Sequence, residues 1–303
     1  MPKPNKKVLF VINHKAGKNG AINLNSAISN HAQKYSYDFD IHFMEDNPSF
    51  GIEQKIKKHQ PDIIAALGGD GTVSLIASLI QFSPISLLIV PFGSANGMAK
   101  ELQIPDNIIA CLDLIINGQE VKIDLLKVND SICVHLSDVG LNARIVKRFQ
   151  LDNKRGLLIY GKHLFFEAFF LKRKQFQIFY NDQIKKVKAV SLTFANATKY
   201  GTGAVINPDG ILNDGYFEIC IVRPFPNYHI FKIAYQMFRG TLKYSNYFDV
   251  LKCTEATIKC SKRTLLQVDG EVLNRVNEIR LVCLPKALSV IISKNLSHPT
   301  LIN

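Results

Sequence analysis

Three short glycine-bearing segments, each directly after a strand-like apolar run, constrain this chain more than any other feature. The sharpest is Leu67-Gly68-Gly69-Asp70-Gly71-Thr72, which follows Ile63-Ile64-Ala65-Ala66 and leads into the helix-like stretch from Val73 to Ile80. Strand, glycine turn and helix in that order place an anion at a helix N-terminus, where backbone N–H groups lack intrahelical partners and the dipole favours negative charge. Glycines remove the side chains that would hold the backbone away from phosphate oxygens. Asp70 would repel a bare phosphate. An acid in such a loop therefore points to a bound metal, or to a hydroxyl that must be held or deprotonated. The combination indicates phosphoryl transfer.

The surrounding pattern gives these loops a scaffold. Strand-like runs at Lys7–Ile12, Phe39–Phe43, Asp62–Ala66 and Ser86–Val90 alternate with helical stretches near 22–34, 51–58 and 73–81. Further helical turns follow near 95–102 and 107–116. This rhythm predicts βαβ units and a parallel sheet with helices on both faces, its ligand site at the carboxyl ends of the strands. Asn13–Gly17, Gly68–Thr72 and Pro91–Asn96 each fall at such an end, so the three loops converge on one edge. After about Glu120 the rhythm changes to short β-branched runs bounded by turn residues, with hairpin turns at Asn129-Asp130 and Asn181-Asp182. Those runs, among them 216–222, 256–260, 264–268, 278–283 and 288–292, predict an antiparallel β domain, interrupted by helices near 144–150, 157–172 and 228–238. The division expected is residues 1–122 and 123–303, with a cleft between.

The chain has 303 residues, 47% of them hydrophobic and 20% charged, which is a globular composition. No apolar run approaches the roughly 18 residues needed to span a bilayer, and no signal-peptide pattern follows the basic N-terminus. The six cysteines form no C-x-x-C pair and read as buried, reduced thiols of a cytosolic protein. Net charge is +12, and between Arg144 and Lys188 there are 12 Lys/Arg against 3 Asp/Glu. From Leu157 to Lys174 these basic residues alternate with Phe and Leu. Such a composition suits a helix lying on an anionic lipid interface, or equally a core helix with a solvated basic end. No nucleic-acid-binding motif accompanies the charge, so nucleic acid is not an expected partner.

Seven motifs in order carry a family resemblance. They are Asn13-His14-Lys15-Ala16-Gly17, Gly68–Thr72, Pro91–Lys100, Asp138–Ala143, Asn196–Gly203, Asn207–Gly215 and Asp269-Gly270-Glu271. Together, from about Lys7 to about Ile292, they resemble the diacylglycerol kinase catalytic-domain family, which includes sphingosine, ceramide and bacterial lipid kinases. The resemblance implies an α/β, Rossmann-like N-terminal nucleotide-binding domain and a C-terminal antiparallel β-sandwich domain. It also implies ATP and Mg²⁺ as cofactors and a membrane-lipid hydroxyl as acceptor. On these positions Asn13, Gly17 and Lys18 would lie by the nucleotide. Gly68, Gly69, Asp70, Gly71 and Thr72 would wrap the phosphates, Ser94 and Asn96 would complete the pocket, and Lys100 would neutralise phosphate charge. Glu271 occupies the position proposed for the base that takes the acceptor proton. Asp70 is the other candidate for that role, and Asp269 joins them as a catalytic candidate. Asp124 and Asp214, with the carbonyls of Ile211 and Tyr216, would form a structural magnesium site.

Two departures are visible: His14 stands where most members have proline, and Thr202 stands for a glycine in the Tyr-Gly-x-Gly loop. Neither removes a catalytic side chain. Ser94 with Asn96-Gly97 leans towards the sphingosine/ceramide-type branch. The leading expectation is thus a cytoplasmic, peripherally membrane-associated lipid kinase. Its segments Leu157–Lys174 and Tyr228–Phe248 would form or flank the lipid slot, and the protein would make peripheral contact with an anionic membrane surface. Homodimerisation through exposed strands is compatible with the sequence. A soluble kinase resembling NAD kinase, and a non-catalytic lipid or nucleotide sensor of the same fold, are the competing readings.

Overall fold

A computed structural model describes residues 6–13, 21–45, 47–141, 143–145, 173–294 and 300–302. The helices expected near 144–150 and 157–172 fall almost wholly outside them. The chain divides into two compact units, Met1–Ile123 with Lys286–His298 and Asp124–Pro285 with Pro299–Asn303.

In the first unit, strands β1 (Lys7–Ile12), β2 (Asp38–Phe43), β3 (Ile63–Gly68) and β4 (Ser86–Pro91) run parallel in the order β2–β1–β3–β4. β3 is buried along its whole length, which is why it reads as an unbroken apolar run and not as an alternation. Helix α1 (Ala21–Tyr35) joins β1 to β2, and α2 (Pro48–His59) joins β2 to β3. Proline begins α2, where its missing N–H costs no intrahelical bond. Helix α3 (Asp70–Ile80) follows β3 and buries Val73, Ile76, Ala77 and Ile80, the i, i+3, i+4, i+7 stripe of a helix lying on a sheet. Two further helices, α4 (Gly97–Glu101) and α5 (Ile108–Asn117), complete the unit. The Asn107 side chain caps α5 by accepting the Ala110 N–H at 3.1 Å.

The second unit is antiparallel, as its hairpin signals predict. Strand β5 (Gln119–Val128) turns at Asn129 into β6 (Ser131–Cys133), and β7 (Leu136–Gly140) follows. Strands β8 (Lys174–Tyr180) and β9 (Gln183–Ala189) form a hairpin whose turn, Asn181-Asp182, has φ of 44° and 59°. Positive φ at both positions is the type I′ geometry that matches strand twist. The sheet then runs through β10 (Ser191–Ala195), β11 (Phe217–Val222), β12 (Phe248–Cys253), β13 (Glu255–Val268) and β14 (Glu271–Ile292) in the order β12–β11–β10–β7–β13–β14. Phe217, Ile219 and Ile221 of β11 face one apolar cluster with Phe176, Ile178 and Phe194. The alternate residues Cys220 and Val222 face a second, with Phe225, Ile230 and Ile233. Both faces of the strand are therefore covered. Ile230 and Ile233 belong to helix α6 (Ile230–Phe238).

Two expectations change in detail. The runs 256–260 and 264–268 are one strand, β13, whose register shifts between Lys259 and Thr264. Likewise 278–283 and 288–292 belong to the 22-residue β14. Past Pro285 that strand joins the first unit, where Ser289 and Val290 pair in parallel with Ser86 and Leu87 of β4. The expected single division at 122/123 contains no such return.

Candidate functional site

In a sheet ordered β2–β1–β3–β4, the chain changes direction of winding between β1 and β3, and the carboxyl ends of those two strands border the natural ligand crevice. The Asn13 N–H donates to the Leu67 carbonyl at 3.0 Å, and Asn13 Nδ2 donates to Thr72 Oγ1 at 3.2 Å. The ends of β1 and β3 are therefore stitched together at this point. Gly17 and Lys18, expected nearby, lie outside the described residues.

The second glycine loop packs against the third through backbone alone. A methyl group on Gly93 would sit 2.5 Å from Gly69 Cα, and one on Gly69 would sit 3.3 Å from Gly93 Cα. A methyl on Gly68 would meet Thr72 Oγ1 at 2.2 Å. Gly69 is the N-cap of α3 and places no side chain over the helix end. The first N–H groups of α3, at Asp70 and Gly71, have no intrahelical acceptor. Asn96, in the left-handed region at φ 51°, closes the third loop by bonding the Gly93 N–H and carbonyl, each at 2.8 Å. Asp70 Oδ1 accepts the Met98 N–H at 3.2 Å. Asp70 thus ties the start of α3 to the start of α4, a positioning role that its place in the sequence does not reveal. Ser94 and Lys100 are exposed on and just after this loop. Buried Thr72, with Gly68 and Asn13, forms the floor.

In the second unit, Asp269 and Gly270 make the two-residue turn from β13 to β14, with φ of 46° and 84°. This is again type I′ geometry, and Asp-Gly is its characteristic sequence. Asp269 is buried, and its carboxylate accepts the N–H groups of Val134, His135 and Leu136 at 2.8, 2.9 and 3.1 Å and the Cys133 thiol at 3.2 Å. Such a carboxylate holds a loop in place. The turn is braced a second time by Gln267, whose Oε1 accepts the Gly270 N–H at 2.7 Å while its Nε2 donates to Asp138 Oδ2 at 2.7 Å. Glu271, the first residue of β14, is exposed beside this doubly anchored turn. Gln267 lies outside every motif of the sequence. Its signal, a polar residue two before an Asp-Gly turn inside an apolar strand, is faint.

Burial and the neighbouring Asp269 carboxylate push the Cys133 thiol well above its usual value. That thiol is a hydrogen-bond donor here and no nucleophile.

The residues expected to hold a structural metal are arranged otherwise. Asp124, fully buried, accepts the Gly215 N–H at 2.6 Å. Asp214 accepts the Tyr216 N–H at 3.0 Å through one oxygen and the Lys252 ammonium at 2.5 Å through the other. Lys252 Nζ also lies 3.8 Å from Glu218 Oε1 and 5.0 Å from the centre of the Tyr216 ring. Of the two carboxylates expected to bind Mg²⁺, Asp214 holds a lysine and Asp124 accepts a backbone N–H. Ile211 and Tyr216 keep their places in the loop before β11, with Leu212 bonding the Asp124 N–H through its carbonyl at 2.7 Å. Among the described residues, no group of three or more His, Cys, Asp or Glu is placed to hold a metal ion.

A parallel α/β unit with a backbone cradle at its strand ends, and an antiparallel unit offering a braced acidic turn, define a class of two-unit phosphotransferase-like folds. Residues 7–128 match the diacylglycerol kinase catalytic domain, and residues 137–292 match the YegS C-terminal NAD kinase β-sandwich-like domain. The chain belongs to this family, the diacylglycerol kinase catalytic domain joined to the YegS-type sandwich. It is 30% identical over 178 residues to "Probable lipid kinase YegS-like" of Pectobacterium atrosepticum, covering 56% of this chain and 59% of that protein. It is 26% identical over 198 residues to a "Diacylglycerol kinase" of Staphylococcus aureus, covering 63% and 62% respectively. The matches thus span about three fifths of the length of these curated relatives. A crystal structure of a diacylglycerol kinase from Bacillus anthracis superposes with a TM-score of 0.76 at 20% identity, over 96% of this chain and 99% of that one. That likeness establishes the fold.

Proposed function

We propose that the protein is an ATP-dependent lipid kinase that phosphorylates a hydroxyl of a membrane lipid, of the diacylglycerol or sphingoid kind. The observation that carries this reading is the cradle formed by Gly68, Gly69 and Gly93 at the N-terminus of α3. There a Cβ would meet Thr72 or the facing loop at 2.2 to 3.3 Å, so glycine is what lets the bare backbone of the two loops close up, and the first N–H groups of a helix suit the charge of a phosphate. In this assignment Asn13, Thr72, Ser94 and Asn96 shape the nucleotide pocket, and Lys100 contributes a positive charge. Asp70 holds the two loops in register. Glu271 accepts the proton of the lipid hydroxyl as its oxygen attacks the γ-phosphorus and the bond to the bridging oxygen of ADP breaks. Asp269 orients Glu271 through the turn. Mg²⁺ bound with ATP would, together with Lys100, offset the charge of the phosphates.

The test is transfer of ³²P from Mg-ATP to mixed micelles carrying diacylglycerol, monoacylglycerol, sphingosine, ceramide or phosphatidylglycerol, with NAD as soluble control. Label in a lipid supports the reading and names the acceptor. Label on NAD alone replaces it with a soluble kinase, and label nowhere favours a sensor.

A further inference from the structure

The second unit carries one surface that neither the nucleotide cradle nor the Asp269 turn uses. From Arg223 to Phe248 the sequence has four Lys/Arg, no Asp or Glu, and eight aromatic residues. Helix α6 lies in the middle of this stretch and separates its residues cleanly by face. Ile230 and Ile233 are buried, and Met237 packs with them against the cluster that includes Phe225 and Leu242. At about 100° per residue, Phe231, Tyr235 and Phe238 fall within roughly 60° of one another on a different arc. They are 63%, 64% and 51% exposed, and Tyr228 and Tyr244, flanking the helix, are 72% and 76% exposed. Lys232 and Arg239 follow within roughly 60° of Tyr235, so a basic edge borders the aromatic stripe.

The ends of α6 are fixed, which makes this a built face and not a fraying one. A 3₁₀ turn at Asn227–His229 leads into the helix. Beyond it, Gly240 at φ 66° donates to the Met237 carbonyl, and the Thr241 N–H donates to the Gln236 carbonyl at 2.8 Å. Of the four cations, Arg223 pairs with Asp249 and Lys243 with Asp209. Lys232 and Arg239 form no salt bridge to a described residue. A stripe of exposed aromatic rings along one arc of a helix calls for an explanation. Tyr and Phe beside Lys and Arg, in a stretch of sequence without an acid, match an anionic bilayer interface: rings seat at headgroup depth and cations meet lipid phosphate.

We propose that the outward face of α6, with Tyr228 and Tyr244 beside it, is a docking surface for an anionic lipid bilayer. The proposal rests on the lipid-kinase reading for its purpose, since a kinase acting on an embedded hydroxyl must reach the membrane, but on the geometry of α6 for its evidence.

The test compares the full chain with two variants, F231S/Y235S/F238S and K232E/R239E, in sedimentation with vesicles of pure phosphatidylcholine or with one third phosphatidylglycerol. The substituted side chains point outward, and an unchanged melting temperature will confirm folding. Wild type is expected to partition onto the anionic vesicles and to release as salt rises from 0.1 to 0.5 M. Each variant should lose at least tenfold in partition. Sedimentation of either variant equal to wild type overturns the proposal. So does a dimer in analytical ultracentrifugation that the aromatic variant dissociates while wild type ignores vesicles, because the face would then belong to a second copy. Transfer to a water-soluble short-chain diacylglycerol separates the two readings. Wild-type transfer to this acceptor, which needs no membrane, supports the kinase reading whatever the vesicles show. Failure of all transfer with docking intact refutes the kinase and leaves the surface.

Discussion

At the scale of single residues, the two glycines that face each other across the cradle are not equivalent. An added methyl at Gly93 meets Gly69 backbone at 2.5 Å, whereas one at Gly69 meets Gly93 at 3.3 Å, where a few tenths of an ångström of movement suffice. Gly93→Ala should therefore push the loops apart at a cost of about 1–3 kcal/mol. Calorimetric titration with a non-hydrolysable ATP analogue should show roughly tenfold weaker binding for it, and a clearly smaller loss for Gly69→Ala. Asp269 and Glu271 make a second contrast. Asp269→Asn replaces one acceptor oxygen by a donor among three backbone N–H groups, which should cost about 3 kcal/mol in urea unfolding. Glu271→Gln, at an exposed position, should leave stability unchanged and lower lipid phosphorylation at least about 100-fold. The glycines were legible because their chemistry is local. The duty of Asp269 was not, because its partners are 133 to 136 residues away.

At the scale of elements, the paired strands β11 and β12 set Glu218 directly opposite Lys252. Burial raises the Glu218 pKa, with Asn207 and Lys252 opposing the rise. Lys252 in turn is raised, chiefly by its hydrogen bond to Asp214. An acid whose folded pKa exceeds its unfolded value is least favourable to the fold when ionised, so its penalty appears as pH climbs through that interval. Removing the ammonium widens the interval. Lys252→Met should therefore match wild type most closely near pH 4–5 and fall behind by about 1 kcal/mol at pH 8, the half-exposed ammonium limiting the effect. Melting curves across pH would check this, and EDTA should not lower the melting temperature of the wild-type protein. Elements themselves were unevenly legible. Strand β12 escaped notice because Asp249 and Lys252 interrupt its apolar positions. β13 read as two runs because Lys259, Ser261, Lys262 and Arg263 lie across its register shift.

For the whole molecule, six scattered cysteines offer a global probe. Burial pushes Cys111, Cys253 and Cys283 up to about 12 and Cys260 to about 11, while Cys133 and Cys220 rise well above the ordinary thiol value. At pH 8 a thiol near 12 is roughly one part in 10⁴ thiolate, and the thiolate is the reactive form. Ellman's reagent should therefore react with the native protein at least about 100-fold more slowly than with free cysteine, then titrate six thiols after denaturation. What the sequence determined alone is the alternation that forms the parallel sheet, the glycine loops at its strand ends and the antiparallel character of the second half. Each of these rests on interactions between residues close in the chain. Tertiary structure alone decided three things: that β14 returns to pair with β4, that Lys252 lies where a metal was expected, and that the aromatic stripe of α6 faces outward. Each depends on which distant segment comes to lie alongside, and that is set by packing the whole chain and not by any local pattern.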